Sequence, residues 1–434
     1  MSPRELGRRR KQLLRQMGKG GIALLPAAPM KTRNRDVEYG FRQDSDFYYL
    51  TGFPEPEAVV VLAPGRKQGE VILFCRDCDP EKEVWTGKRL GPEGAVREGV
   101  ADEAFLITDL DQKMPELLEG RDRIYYALGK DQDFDQKVMG WLRRLRGRSR
   151  SERQAPQELV SLESVLHEMR LIKSRSEVGA MRRAVQIAVA AHRRAMKACR
   201  PGMREFELEA EILHEFRRHG TVPSYGTIVG GGANGCVLHY VANQGELRDG
   251  DMVLVDAGCE YNLYASDITR TFPVNGVFTA QQRALYNVVL AAQREAIGKV
   301  APGNHWNDPH DAAVKVITRG LVRLGLLAGK PSALVKSGAY RKFFMHRTGH
   351  WLGMDVHDVG DYKRKEGWRR LEPGMVLTVE PGIYIPPGTK GVGKKWWGIG
   401  IRVEDDVLVT RGGQEVLTRA LPKDPDGIEA LMRS

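Results

Sequence analysis

Cysteine is scarce in this sequence of 434 residues, which contains only five, scattered along the chain. An odd number at irregular spacing does not resemble a disulfide framework, so we expect reduced thiols. Cys75 and Cys78 form a C-x-x-C pair, but no second pair follows that would complete a tetrahedral zinc site. We therefore interpret the pair as part of a turn that follows a strand.

Long hydrophobic runs are also missing. No stretch approaches the roughly 20 consecutive apolar residues that span a bilayer, so the sequence does not predict a membrane protein. Basic residues 8–11 precede a short apolar run at residues 22–25, which meets Pro26 and is too short for the core of a signal peptide. We expect a cytoplasmic protein.

The net charge of +11 raises the question of a nucleic-acid partner. Much of the excess lies in two runs, residues 8–15 and 143–153, and neither run is interleaved with the aromatic residues of a stacking surface. A solvated helix face and a basic linker explain these runs better. No nucleic-acid partner is predicted.

The length predicts two domains, because a single hydrophobic core seldom extends over so many residues. Up to about residue 145, short apolar runs alternate with helical patterns, which is typical of a small α/β domain. The basic, polar segment 147–157 reads as a connection. We place the domains at 1–172 and 173–434, with predicted strands at 21–25, 58–62, 71–74 and 123–128 and helical segments at 116–119 and 137–145 in the first.

The second domain opens with three helical stretches, and the second of these begins with a capping box formed by Ser174 and Glu177. Strand patterns then predominate, so we expect a mixed sheet flanked by helices. The predicted strands are 225–229, 252–255, 268–272, 375–379 and 399–408, and the predicted helices lie near 281–297 and 312–324.

Two apparent motifs lack the structural context that they need. The G-x-G-x-x-G at residues 230–235 is followed by the β-favouring residues 236–241, whereas a dinucleotide fingerprint opens a helix. We expect these glycines to permit a close approach of backbones. His214 and His219 are five residues apart, so they do not share a helix face as a zinc-binding H-E-x-x-H pair does.

Four carboxylates stand in or at the end of predicted interior strands, namely Asp256, Asp267, Glu380 and Glu404. Lone acids are almost never fully buried unless they are paired or bind a metal. Four converging negative charges repel one another, and two divalent cations would offset them. Ligation by oxygen with little sulfur favours ions of the Mn, Mg or Co kind over structural zinc.

Three histidines, His346, His350 and His357, fall within twelve residues of a glycine-containing segment. A surface loop with chance histidines is one interpretation, but such clusters often mark metal or catalytic sites. A single imidazole among the carboxylates would favour a transition metal such as Mn. A two-metal site activates a bridging water and polarises a carbonyl, which is the chemistry of amide hydrolysis.

These residues closely resemble the pita-bread metallopeptidases, and among them the aminopeptidase P family, over essentially the whole chain. The resemblance implies a curved, mainly antiparallel sheet and two divalent metal ions, with Mn²⁺ favoured and Co²⁺ or Zn²⁺ as alternatives. It also implies five metal ligands, of which Asp267 and Glu404 bridge the ions. The ligands are Asp256, Asp267, His350, Glu380 and Glu404.

The same resemblance assigns roles around the metals. Segments 234–240 and 355–360 are similar to family motifs that bring His239 and His357 beside the ions, where they bind substrate and stabilise the tetrahedral intermediate. A hydroxide that bridges the metals is the implied nucleophile, with Glu380 as the proton carrier. On a continuous strand Arg402 faces the same side as Glu404, so it can hold a ligating carboxylate or the peptide backbone.

The implied reaction removes the N-terminal residue from peptides whose second residue is proline. His346, a further active-site histidine of the family, would wall a proline-sized slot with His357, Tyr384 and Arg402, and Trp85 would contribute to substrate binding. Homo-oligomers, dimers or tetramers, are implied as well.

Segments 33–36 and 42–53 also look like this family. Methionine aminopeptidases lack this N-terminal domain, and creatinase-like relatives lack the ligands. Prolidase, which cleaves Xaa-Pro dipeptides, and a non-catalytic peptide- or nucleic-acid-binding module remain as alternatives.

Overall fold

The structure is a computed structural model that describes residues 1–147 and 155–434. The chain forms two compact units, Met1–Met169 and Arg170–Ser434. This division follows Met169, and the predicted one follows residue 172. Most of the predicted linker, at residues 148–154, lies outside the described residues.

The strands of the first unit are β1 (Gly21–Pro26), β2 (Thr32–Asn34), β3 (Val37–Glu38), β4 (Val59–Leu62), β5 (Val71–Cys75), β6 (Glu103–Leu106), β7 (Arg123–Tyr125) and β8 (Glu158–Val160). Six of them form a mixed sheet in the order β6-β5-β4-β1-β7-β8, and β2 and β3 form a separate pair. The pairs β5–β6, β1–β7 and β7–β8 of the mixed sheet are parallel, as the predicted α/β class requires. The helices are α1 (Pro3–Met17), α2 (Ser45–Thr51), α3 (Pro80–Thr86), α4 (Gly91–Arg97), α5 (Leu110–Leu118) and α6 (Gln132–Arg146), and α7 (Glu163–Leu171) crosses the boundary of the unit.

Strands β4 and β5 are buried along their whole length, which explains why they read as uninterrupted apolar runs. Helix α6 packs Phe134, Val138 and Trp141 against this core, and Asp131 caps its first turn by accepting from the backbone N–H groups of residues 133 and 134.

The second unit contains several antiparallel sheets with long helices beside them, in agreement with the predicted class. Its strands are β9 (Val222–Pro223), β10 (Ile228–Gly231), β11 (Met252–Asp256), β12 (Cys259–Tyr261), β13 (Tyr264–Ala265), β14 (Thr269–Pro273), β15 (Lys363–Arg364), β16 (Gly367–Trp368), β17 (Val376–Val379), β18 (Gly382–Ile385), β19 (Ile399–Arg402), β20 (Asp405–Thr410) and β21 (Gly413–Val416). Its helices are α8 (Arg175–Ala198), α9 (Glu205–Arg218), α10 (Ala280–Ile297), α11 (Asp308–Arg323), α12 (Pro331–Ser337) and α13 (Pro425–Arg433).

The capping box at the start of α8 is confirmed. The backbone N–H of Ser174 donates to Glu177 Oε2 at 2.9 Å, and the N–H of Glu177 donates to Ser174 Oγ at 3.4 Å. Both orphan donors of the first turn are thereby satisfied.

The prediction of one strand over residues 399–408 is wrong. The segment forms two strands, β19 and β20, because it changes partners in the middle: β19 pairs with β18, whereas β20 pairs with β17 and β21. Glu404 lies in the break, where its N–H donates to the carbonyl of Thr269 at 3.1 Å. The break is therefore what brings this carboxylate to the end of β14.

Residues 236–241, which are β-favouring by composition, do not form a strand. Gly232–Cys236 is a short 3₁₀ helix, and the residues after it have no regular structure. The expected close approach of backbones is confirmed, since a Cβ atom on Gly400 would lie 2.1 Å from the carbonyl oxygen of Gly235. Among residues 1–147 and 155–434, no helix is both long and apolar enough to cross a membrane.

Candidate metal centre

Two of the four predicted carboxylates come from one antiparallel pair of strands. Asp256 ends β11 and lies opposite Thr269 of β14, and Asp267 precedes β14 by two residues. The connecting hairpin turns at Asn262 and Leu263, whose φ angles of 51° and 61° are those that a tight two-residue hairpin turn requires. The register therefore places both carboxylates at the same end of the pair.

The other two carboxylates come from a second antiparallel pair of strands, β17 and β20. Glu380 directly follows β17 and Glu404 directly precedes β20, and these strands pair with Val379 opposite Asp405. Thr269 of β14 links Glu404 to the first pair of strands, because its hydroxyl donates to Glu404 Oε2 at 2.6 Å.

The carboxylates converge with one imidazole. Asp267, His350 and Glu404 each offer a ligand atom, and these atoms all lie within 4.8 Å of one another. His350 Nε2 is 3.3 Å from Asp267 Oδ2 and 3.6 Å from Glu380 Oε1. The hydroxyl of Tyr225 lies 2.6 Å from oxygens of both Asp256 and Asp267. All five predicted ligands therefore belong to a single cluster.

The electrostatics of this cluster favour bound cations. Burial raises the pKa of Glu404 well above its ordinary value, and the neighbouring charges of Asp267, Glu380 and Asp256 add to the rise. Burial likewise raises the pKa of Glu380 to about 7, against the opposing charges of His350 and Arg402. Such carboxylates ionise together only if positive charge is supplied. A donor set of carboxylate oxygens and one imidazole fits divalent cations that prefer oxygen.

The orientation of His350 is fixed by its surroundings. Its Nδ1 lies 2.9 Å from the carbonyl oxygen of Trp351, so Nδ1 carries the proton that it donates and Nε2 faces the carboxylates. Burial by itself lowers the pKa of His350, but the hydrogen bond with Asp267 and the charge of Glu380 outweigh it and raise the pKa to about 9. A metal ion at Nε2 would displace this second proton.

Arg402 is buried beside the cluster with only 4% of its surface exposed. One guanidinium nitrogen donates to Asp256 Oδ2 at 2.6 Å, Nε donates to Thr269 Oγ1 at 3.0 Å, and the remaining nitrogen donates to the hydroxyl of Tyr384 at 3.1 Å. Of the two predicted roles, the structure shows contact with a carboxylate of the ligand set. The prediction that Arg402 and Glu404 share one continuous strand is wrong, because β19 ends at Arg402.

The other predicted histidines lie around the cluster. His346 Nε2 is 2.9 Å from the hydroxyl of Tyr384, and its Nδ1 is 3.9 Å from Glu380 Oε2. Burial, followed by the charge of Arg402, lowers the pKa of His346 to about 3. The ring of His357 packs edge-on against that of His350, with 4.3 Å between centroids.

His239 is exposed and lies close enough to His346 and His357 to affect their pKa values. After the larger effects of burial and other neighbours, its charge contributes to the lowered pKa values of His346 and His357. All four predicted histidines therefore surround one centre.

Sequence reasoning missed three residues that contact the ligands. Tyr225 precedes its strand and carries no motif, and Thr269 reads as an ordinary strand residue. Asp406 is fully buried, and its Oδ2 accepts from the backbone N–H of Asp267 at 3.2 Å. Of these three residues, Asp406 had a signal in the sequence: it belongs to the run Glu404-Asp405-Asp406 in a predicted strand, where acids are rare. Trp85 lies on α3 of the first unit with 88% of its surface exposed.

A buried ion-pair network lies behind the histidine segment. Asp358 accepts from Lys173 Nζ at 2.8 Å and from a guanidinium nitrogen of Arg170 at 2.6 Å. The N–H of Asp358 donates to the carbonyl of Trp351 at 2.9 Å. This network ties together the two ends of the turn that joins His350 to His357.

Comparison with known proteins agrees with this geometry. Residues 179–411 match the model of metallopeptidase family M24, and residues 6–125 match that of the aminopeptidase P N-terminal domain. The chain belongs to metallopeptidase family M24, and it is an enzyme of the hydrolase class that depends on divalent metal. Within that family, similar proteins include Xaa-Pro aminopeptidases.

The curated Xaa-Pro aminopeptidase of Escherichia coli strain K12 is 49% identical over 434 residues, which cover 100% of this chain and 98% of that protein. The solved structure of Pseudomonas aeruginosa aminopeptidase PepP superposes with a TM-score of 0.99 at 56% identity, covering 100% of this chain and 98% of that one. A zinc-substituted E. coli aminopeptidase P in complex with product superposes with a TM-score of 0.97 at 48% identity, with the same coverage.

Proposed function

We propose that this enzyme hydrolyses the first peptide bond of peptides whose second residue is proline. The observation that carries the proposal is the convergence of four strand-end carboxylates and the Nε2 atom of His350 in one buried cluster. Relatives that match along the whole chain are Xaa-Pro aminopeptidases, and one is solved with product. The five predicted ligands, Asp256, Asp267, His350, Glu380 and Glu404, would hold two divalent ions.

When bound, the two ions supply an activated water and polarise the scissile carbonyl. Among oxygen donors, a single imidazole favours Mn²⁺, with Co²⁺ or Zn²⁺ as alternatives. The positive charge also lowers the pKa of Glu380 from about 7, so that its carboxylate is ionised and can accept a proton.

Glu380 is proposed as the proton carrier of the reaction. Its Oε1 accepts from the hydroxyl of Thr378 at 3.3 Å, and that hydroxyl in turn accepts from the backbone N–H of His350 at 3.1 Å. The carboxylate is thereby held toward the centre. It would take the proton of the attacking water and deliver it to the leaving proline nitrogen, which leaves poorly as an anion.

His239 and His357 are proposed to donate hydrogen bonds to the oxygen on which charge develops in the transition state. Burial, followed by the charge of His350, lowers the pKa of His357, so its ring is neutral near pH 7 and has one N–H to donate. Donors fixed in advance at such a position contribute strongly to catalysis.

The proposed proline slot is walled by His346, His357, Tyr384 and Arg402. The linked hydrogen bonds from His346 through Tyr384 to Arg402 hold that wall in one shape. A proline ring fits such a wall because it lacks an N–H that would need a partner and fixes its own φ angle.

Trp85 is proposed to bind substrate, and the protein is proposed to form dimers or tetramers. Val84 and Trp85 are 83% and 88% exposed, and a partner subunit would cover this apolar pair. The proposed compartment is the cytoplasm, as expected from the sequence.

The alternatives differ in what they cleave. A prolidase cuts Xaa-Pro dipeptides and leaves longer peptides intact. A non-catalytic binding module would cleave neither, and the convergence of five metal donors speaks against it.

The test removes metal with a chelator, restores Mn²⁺, and measures hydrolysis of Arg-Pro-Pro beside Ala-Pro. We expect release of only the first residue of the tripeptide, and only with metal. Cleavage of the dipeptide alone would establish prolidase activity instead. Asp267→Asn should abolish activity and metal binding, whereas Asp361→Asn, which changes an exposed carboxylate, should leave both unchanged.

A further inference from the structure

His239 lies in a loop that has little regular structure of its own. We call residues 231–245 the His239 loop; it runs from the end of β10 toward β11 and contains one short 3₁₀ helix, Gly232–Cys236. None of the five proposed metal ligands belongs to it. His239 must therefore be held in place by contacts that other parts of the chain make with this loop.

Part of the support is apolar. Leu238 and Tyr240 pack against a small buried cluster of Ile228, Leu254 and Tyr384. The residue between them, His239, is exposed. The two neighbours thus anchor the chain on either side of His239 and leave its ring free to face solvent and substrate.

Asn243, near the end of the loop, donates to Glu209 Oε2 at 2.9 Å and to the carbonyl of Thr227 at 2.8 Å. Four further hydrogen bonds to the loop come from one carboxylate. Glu205, the first residue of α9, has no exposed surface. Its Oε1 accepts from the N–H of Gly231 at 2.8 Å and from Asn234 Nδ2 at 2.9 Å. Its Oε2 accepts from the hydroxyl of Tyr240 at 2.8 Å and from the N–H of Gly245 at 2.6 Å. All four donors belong to the His239 loop, at its beginning, middle and end.

The carboxylate has no room to move. The N–H of Glu205 donates to the carbonyl of Gly245 at 2.9 Å, so both the backbone and the side chain of Glu205 form hydrogen bonds with Gly245. A Cβ atom on Gly245 would lie 2.8 Å from both Glu205 Oε1 and Asn234 Nδ2. The loop packs closely around the carboxylate of Glu205, and each carboxylate oxygen accepts two hydrogen bonds.

We propose that Glu205 is a positioning residue for catalysis, which holds His239 at the reacting carbonyl by binding both ends and the middle of its loop. The proposal rests on the proposed role of His239. A buried carboxylate that only stabilised the fold would satisfy its oxygens with any nearby donors. Among the residues that the structure describes, all four side-chain hydrogen bonds of Glu205 go to the loop that carries His239.

The test is a double-mutant cycle between Glu205→Gln and His239→Ala. Glutamine keeps the shape of the side chain but turns an NH₂ group toward two donors, so two of the four hydrogen bonds are lost. We expect kcat/KM for Arg-Pro-Pro to fall roughly 10- to 100-fold, chiefly through kcat, because small displacements of a catalytic group have effects of that size. Bound metal should stay unchanged.

In the His239→Ala background, the same Glu205→Gln change should lower kcat/KM by no more than about twofold, since residues that act through one another are not additive. Tyr240→Phe removes one of the four hydrogen bonds and should give a smaller loss, roughly threefold, with the same dependence on His239. Glu211→Gln is the matched control; it lies on the same helix and pairs with Arg194 at the surface, and it should leave kcat/KM unchanged.

An equal loss from Glu205→Gln in both backgrounds would overturn the proposal, and so would no loss in the native background. If Glu205→Gln yields no folded protein, the cycle with Tyr240→Phe decides by the same two criteria. Full activity of His239→Ala alone would instead refute the proposed role of His239, and this inference with it. The two failures are therefore distinguishable.

Discussion

The buried network of Asp358 gives a prediction whose size follows from the structure. The side chains of Asp358 and Lys173 are each 1% exposed and that of Arg170 is 3% exposed. Replacing Asp358 by Asn keeps the shape but leaves buried cations without their full counter-charge. Breaking a buried ion pair in this way costs about 3–5 kcal/mol of unfolding free energy.

The pH dependence of this contribution has a definite sign. Burial alone would raise the pKa of Asp358, but the charges of Lys173 and Arg170 outweigh burial and lower it. A carboxylate whose pKa is lowered by folding stabilises the native state above its unfolded pKa, and this stability is lost as the pH falls through the folded pKa. Asp358→Asn should therefore be less stable than the native protein at pH 7, with the difference shrinking in acid.

The assay is urea unfolding at pH 7 and at a series of pH values below about 4, followed by fluorescence at every pH and by loss of peptidase activity at pH 7. Asp355→Asn is the control: Asp355 also pairs with Arg170, but its side chain is 37% exposed, so we expect a loss of about 1 kcal/mol or less. A loss for Asp358→Asn no larger than that of the control would refute the reasoning. The double change Lys173→Met with Asp358→Leu should cost less than Asp358→Asn alone.

Three further predictions concern the metal centre and the backbone that packs against the His239 loop. In chelator-stripped protein, burial raises the pKa of Glu380 from an ordinary 4.5 to about 7. The free energy of unfolding should therefore fall by about 3 kcal/mol as the pH rises from 4.5 to 7, measured by thermal unfolding, and added Mn²⁺ should restore it. Arg402→Met removes the donors to Asp256 and should lower kcat/KM roughly 10- to 100-fold, as is usual for groups that hold metal ligands. Gly400→Ala would press a methyl group against the carbonyl of Gly235 and should cost about 1–3 kcal/mol in urea unfolding.

The ligand carboxylates could be predicted because their signal is local. Asp256 ends an apolar strand and Glu380 follows another, and an acid at such a place stands out in the sequence. Tyr225 had no such signal. Its contact with two carboxylates exists only because β10, β11 and β14 pair in a particular register, and register is not encoded near Tyr225 itself.

The wrong strand prediction at 399–408 and the absence of a strand at the β-favouring residues 236–241 have a common cause. Residues 236–241 favour β-structure by composition, yet Glu205, which is distant in sequence, binds the donors of this loop. Segment 399–408 breaks because its two halves pair with different strands. In both cases tertiary hydrogen bonds override local propensity. The predicted role of Trp85 stays a prediction, since the sequence offers only a resemblance for it.

We propose that five side chains hold two divalent ions at one site. Anomalous X-ray diffraction from crystals grown with Mn²⁺ tests this most directly. We expect two peaks among Asp256, Asp267, His350, Glu380 and Glu404, with oxygens of Asp267 and Glu404 in contact with both ions. A single peak, peaks elsewhere, or no peak in crystals of protein that cleaves Arg-Pro-Pro would contradict the claim.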